Sequence, residues 1–122
     1  RLHPKSIVYG VELGGRAKAY PDAELAKFVV VNDAVGNIPI LVARKPETQT
    51  VKIFERKIGN TILEFEYRNG KIYDKQTESE WNFEGFAVNG EYANTQLVST
   101  VAPAHFWFAW AAFKPNTELF QP

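Results

Sequence analysis

Between Pro103 and Phe113 the chain reads Ala104-His105-Phe106-Trp107-Phe108-Ala109-Trp110-Ala111-Ala112, and no other stretch limits the possible folds as strongly. Read as a helix, it carries aromatic rings all the way round, and a helix apolar on every side belongs in a hydrophobic interior. About ten residues fall short of a bilayer span, so burial inside protein is the expectation. Lys114 in the last turn and Pro115 after it supply the stop. Helical spacing puts Phe106, Trp110 and Phe113 on one face and Trp107 with Ala111 on another. The simplest role for such a stripe is a core helix that plugs a β-sheet.

The rest of the chain supplies the sheet. Residues 7–13 and 16–20 read as two strands, and Gly14-Gly15 provides the positive φ angles of a two-residue hairpin turn. That register sets Tyr9 opposite Tyr20. Pro21 stops the second strand, and Asp22 is placed to cap one short helical turn over residues 23–26. Residues 28–31 are apolar and mostly β-branched, as in a strand covered on both faces, and residues 32–37 read as a turn. A strand resumes over 38–43, with Pro39 near its start or on an edge.

Val51 and Ile53 mark another strand, turned by residues 57–60. Leu63, Phe65 and Tyr67 alternate with Glu64, Glu66 and Arg68, the pattern of a half-buried strand. Asn69-Gly70 is the strongest short hairpin signal in the chain; it pairs Tyr67 with Ile72 and Phe65 with Asp74. Residues 82–88 look like strand, Asn89-Gly90 like a further turn, residues 97–99 like the last strand before the helix, and 116–120 like an extended segment docking back. The expectation is a mainly β (α+β) fold, a single compact domain over residues 1–122. It is built of short antiparallel strands and hairpins, with one buried aromatic helix near the C-terminus.

Charge and cysteine usage narrow the functions. Fourteen Lys and Arg balance fourteen Asp and Glu, so the basic footprint of nucleic-acid binding is missing and no nucleic-acid partner is expected. The absence of cysteine removes disulfides, thiolate metal sites and thiol nucleophiles together. It is neutral about compartment, because a core of this size needs no covalent staple. No apolar run approaches the length of a transmembrane helix. The chain begins at Arg1, has no methionine and shows no signal peptide, which suggests a processed or trimmed chain whose targeting segment was removed upstream.

Gly10-Val11-Glu12 with Arg16-Ala17-Lys18-Ala19-Tyr20-Pro21 resembles the opening of the bacterial and archaeal domain-of-unknown-function family numbered 3179. The resemblance continues through Val31-Asn32-Asp33, Val35-Gly36, then Asp74, Thr77, Ser79 and Trp81, then Gly85, Ala87, Val88 and Gly90. It closes on Phe106-Trp107-Phe108-Ala109-Trp110, Phe113, Pro115 and Thr117, so nearly the whole chain is covered. It implies an exported or membrane-anchored protein, and an extracytoplasmic location follows from it; it carries no established activity. Many relatives have a Cys-Pro-x-Cys element and a histidine ahead of the Asn-Asp pair. Aligned without gaps, those cysteines fall on Lys45 and Thr48, with Pro46 kept, and the histidine falls on or beside Phe28. Lysine, threonine and phenylalanine cannot replace soft-metal or redox ligands. The chain is therefore similar to the branch without cysteines.

The remaining polar residues each admit a chemical and a structural role. His105 is a candidate general base, metal ligand or axial haem ligand, but it has no partner histidine at ligand spacing and no haem-attachment motif. A capping or hydrogen-bonded histidine at the helix start is the alternative; His3 is assigned no role. Asn32-Asp33 offers a carboxylate for catalysis or a cation, or else organises a turn. Asp74, Glu78, Glu80 and Glu84 surround Trp81, which suits glycoside chemistry or, equally, the charged edge of a sheet. Ser79 and Ser99 lack a nucleophile-elbow context, and the glycines follow no phosphate-cradling pattern.

The leading expectation is a non-catalytic, extracytoplasmic binding or assembly module without a cofactor. It would meet a protein partner or a second copy of itself through sheet edges and exposed aromatics. The rival is a small-molecule or carbohydrate-binding or hydrolytic domain, whose pocket would gather Asn32, Asp33, Asp74, Trp81 and His105. A metal or haem site at His105 is a third reading.

Overall fold

The structure is a computed structural model that describes residues 2–122. Two hairpins lay down most of the first half. Strand β1 (Ile7–Leu13) turns through Gly14-Gly15, at φ 56° and 76°, into β2 (Arg16–Pro21), and Tyr9 faces Tyr20 as the turn requires. Helix α1 (Asp22–Phe28) follows directly. Asp22 is not its cap, contrary to expectation. Pro21 holds the N-cap position with no side-chain cap, and the Asp22 carboxylate accepts instead from Arg44 Nε at 2.9 Å and Nη2 at 3.2 Å. The helix also runs through Phe28, which the sequence had suggested was strand.

Strand β3 (Val30–Val35) pairs with β4 (Ile38–Arg44) through a two-residue turn, Gly36-Asn37, with φ 56° and 66°. The turn expected over 32–37 is therefore confined to its last two residues. Asn32 and Asp33 lie inside a strand, because two successive positive-φ residues suffice to reverse a hairpin. Pro39 sits second in β4, near the strand's start as expected. Strand β5 (Val51–Glu55) pairs with β4 and, on its other side, with β11 (Ser99–Thr100). The sheet order is β11-β5-β4-β3.

A small ribbon of β6 (Lys57–Ile58) and β7 (Thr61–Ile62) leads to a third sheet, β10-β9-β8. Its strands are β8 (Phe65–Arg68), β9 (Lys71–Asp74) and β10 (Glu80–Trp81). The Asn69-Gly70 turn sets Tyr67 against Ile72 and Phe65 against Asp74, the expected register. Residues 82–88 are not a strand. The Asn82 carboxamide oxygen accepts from the Glu84 and Phe86 N–H groups, both at 3.0 Å, and folds the segment into a loop with only isolated bridges at Phe86 and Ala87.

The C-terminal stretch divides in two. Ala104–Phe106 is strand β12, the edge of the sheet β12-β1-β2-β13, and helix α2 is only Trp107–Phe113. Strand β13 (Glu118–Leu119) docks back beside β2 in parallel. The mainly β fold with an aromatic helix near the C-terminus is as expected, but complete burial of that helix is not. Trp107 and Trp110 are inside, 8% and 3% exposed, while Phe106, Phe108 and Phe113 stand 46%, 53% and 71% exposed. The inward face is thus the Trp107–Trp110–Ala111 side, not the one carrying Phe106 and Phe113.

The buried residues form three clusters. Val11, Tyr20, Leu25, Val35 and Ile40 belong to one, Phe54, Phe65, Ile72 and Trp81 to a second, and Val8, Ala19, Trp107 and Trp110 to the third. The last depends on Gly10: a Cβ there would stand 2.3 Å from the Trp110 ring, so only a bare backbone lets the indole lie on β1. Trp110 Nε1 then donates to Thr117 Oγ1 at 2.8 Å, which satisfies the buried indole and ties the tail to the helix.

Candidate functional site

Asn32 and Asp33 are neighbours on β3 and point to opposite faces. The Asn32 carboxamide behaves as a piece of β-ladder. Its Nδ2 donates to the Phe65 carbonyl at 2.8 Å and its Oδ1 accepts from the Phe65 N–H at 2.9 Å, joining β3 to β8. Asp33 faces the first hairpin, where Oδ2 accepts from Lys18 Nζ at 2.8 Å and from the Tyr20 hydroxyl at 2.7 Å. Burial pushes the Asp33 carboxyl up, but hydrogen bonds from Lys18, Tyr20 and the Ala34 N–H outweigh it and leave the group below its ordinary value. Burial first, then the bond to Asp33, drives the Tyr20 hydroxyl well above the usual phenol range, so it stays protonated and donates.

Asp74 and Trp81 are brought together as a buried polar network. Trp81 Nε1 donates to Asp74 Oδ2 at 2.9 Å, and the Thr77 N–H and hydroxyl donate to Oδ1 at 2.6 and 2.8 Å. The Thr77 hydroxyl lies 2.7 Å from Ser79 Oγ, which accepts from the Tyr92 N–H at 3.1 Å. One polarity satisfies every proton: Tyr92 N–H to Ser79, Ser79 to Thr77, Thr77 to the carboxylate. Donors thus stand in for a counter-ion around a side chain that is fully buried. Gly90 closes the site, since a Cβ there would meet Ser79 Oγ at 2.5 Å. The other carboxylates turn outward: Glu78 pairs with Arg68, Glu80 with Lys71 and Asn89.

His105 does not cap α2. It lies in β12 opposite Val8, with its ring on Trp110 at a centroid distance of 5.1 Å, and its Nε2 is buried without a hydrogen-bond partner. The five candidate residues therefore spread over the molecule. Asp33 bonds Tyr20 of the first cluster, Asp74 bonds Trp81 of the second, and His105 packs on Trp110 of the third. Among the described residues no group of three His, Cys, Asp or Glu is arranged to hold a metal ion. No helix among them is long and apolar enough to cross a membrane.

Two features had no clear sequence signal. Arg56 drives its guanidinium between sheets, donating from Nε to Ile40 O at 2.9 Å, from Nη1 to Leu63 O at 2.9 Å and from Nη2 to Asp33 O at 3.0 Å. Burial lowers its pKa, and the charges of Glu64 and Asp33 offset part of that. The second feature is a recess of about 210 Å³ lined by Lys45, Thr48, Thr50, Lys52, Phe83 and Glu84. The two positions matched to relatives' cysteines, Lys45 and Thr48, thus line the same hollow. Phe28, matched to their histidine, is exposed at the end of α1.

A family model described as a protein of unknown function (DUF3179) matches residues 1–117, and the chain belongs to that family. Neither the curated proteins nor the solved structures give a match.

Proposed function

We propose that this member of the DUF3179 family is a non-catalytic binding or assembly module that makes its contacts through the outer face of α2. The observation that carries the reading is the composition and placement of that helix. Its seven residues include no charged side chain and no polar group besides the indoles of Trp107 and Trp110, and its outer face presents Phe108, Ala109, Ala112 and Phe113 to solvent. Phe106 extends the face: its ring stacks on Phe108 at 5.9 Å and 13°, and exposed Ile7 lies opposite it in the strand register. Contiguous apolar surface of this kind marks contact sites on soluble domains.

The carboxylates a catalytic reading would need support the same view, because Asp33 and Asp74 are each engaged by several internal donors. We read this contact as extracytoplasmic, a reading the resemblance to exported proteins supports, and its partner as another protein or a second copy of the chain. Native mass spectrometry and light scattering, run with and without a native extract, test this. Association that disappears in the F106S/F108S double variant supports it. A strict monomer under all conditions, with no partner recovered, overturns it.

A further inference from the structure

We propose that the recess between the 45–50 loop and Phe83 binds an oxyanion, the carboxylate or phosphate group of a small ligand. Lys45 and Lys52 both line it, and neither has a carboxylate within ion-pair distance among the described residues, although most other lysines do. Thr48 Oγ1 and Thr50 Oγ1 lie 2.9 Å apart. Whichever of them donates, the bond uses one of two hydroxyl protons and leaves the other free for an incoming acceptor. Two ammonium groups and one hydroxyl make a donor set suited to an oxyanion.

The loop is built before any ligand arrives. The Lys45 N–H donates to Thr50 O at 2.8 Å and the Gln49 N–H to Lys45 O at 2.7 Å, with Gln49 held at φ 62°. Next to it, the Arg44 N–H donates to the carbonyl of Val29. Val29 adopts φ 66° and ψ −53°, a conformation a β-branched residue avoids unless its surroundings impose it. A fixed loop loses little freedom on binding. At 210 Å³ the recess has room for about seven waters' worth of volume, enough for a phosphate or carboxylate group. Lys52 and Glu84 also border a neighbouring groove with Gln96, Ser99 and Thr100, which gives the remainder of the ligand a polar path.

Glu84 works against the anion and has no ion-pair partner of its own, so the recess carries two positive charges and one negative. That opposition makes the proposal sharp: removing a lysine and removing the glutamate must act in opposite directions. This site is separate from α2, and its fate is independent of the reading proposed for that helix.

The test is a titration of the folded chain with inorganic phosphate and, in parallel, with acetate, each against chloride at matched ionic strength, followed by amide chemical shifts. Saturable shifts confined to residues 45–52 and 83–84 are expected from at least one of the two probes, and which one responds identifies the ligand group. K45Q/K52Q should weaken binding by roughly tenfold or more, and E84Q should tighten it, while K5Q leaves it unchanged. Absence of saturation with both probes overturns the proposal. So do equal shifts from chloride, or binding that survives K45Q/K52Q in a variant whose remaining spectrum is native.

Discussion

Replacing Asn32 separates a structural role from a ligand-binding one. In Asn32→Ala the Phe65 N–H and carbonyl lose partners at 2.9 and 2.8 Å in a part-buried setting between β3 and β8. Each fully buried unpaired group costs about 1–3 kcal/mol, and partial access to water argues for the lower half of that range. The expected loss is about 2–4 kcal/mol, or a fall in Tm of roughly 10 °C or more for a chain of this size. Asn32→Asp keeps the acceptor for the N–H but points a negative charge at the Phe65 carbonyl. It should be at least as costly at neutral pH and recover part of the loss when the new carboxyl is protonated. Urea unfolding at several pH values gives the free energies, and hydrogen exchange at the Phe65 amide reports the contact itself. Asn32→Ala within about 0.5 kcal/mol of the parent, with Phe65 still protected, would refute the ladder role and return Asn32 to the candidate ligand groups.

Three shorter tests follow the same logic. Gly10→Ala forces a methyl group into the Trp110 ring at 2.3 Å and should destabilise by about 1–3 kcal/mol or more, with an altered near-UV signal from the tryptophans. Asp74→Ala strands the Trp81 indole N–H and both Thr77 donors in a buried site, and about 3–5 kcal/mol should be lost in denaturant unfolding; Thr77→Val should lose less, because the indole bond survives. The folded-state pKa of Asp33 lies below its ordinary value of 3.8, so its contribution is present above that pH and disappears as pH falls through the folded value. Asn at position 33 should therefore flatten the acid limb of a stability–pH profile measured between about pH 2 and 6.

The parts of the fold that could be read from the sequence are those decided within a few residues. Gly14-Gly15 and Asn69-Gly70 set their hairpins and the facing pairs Tyr9–Tyr20 and Tyr67–Ile72, because a two-residue turn leaves only one register. Asn32-Asp33 misled because the same residue types that build turns also bond at a distance. Their partners are Phe65, 33 positions on, and Lys18, 15 positions back, and no local pattern announces either. Residues 82–88 failed for a related reason. They look like a strand, but Asn82 folds the backbone onto its own side chain and leaves little to pair. Arg56 was invisible because its ligands are three main-chain carbonyls, which carry no residue identity.

The aromatic helix lies where the sequence puts it but is covered on one side only, because hydrophobicity on every side says that a helix wants cover, not that the chain has cover to give. One sheet lies under α2, and the two indoles take that side, Trp110 anchored to Thr117 and seated over Gly10. The phenyl rings of Phe108 and Phe113, which have no polar atom to satisfy and are the easiest to bury, stay in solvent. If they serve an interface, the isolated chain owes them almost nothing. Phe108→Glu with Phe113→Glu should then change unfolding free energy by less than about 1 kcal/mol in dilute solution. It should also abolish any rise of Tm with protein concentration shown by the parent chain, since mass action stabilises only what associates. A loss of several kcal/mol in the isolated chain would mean that these rings pack in solution, and the outer face of α2 would no longer be free for a partner.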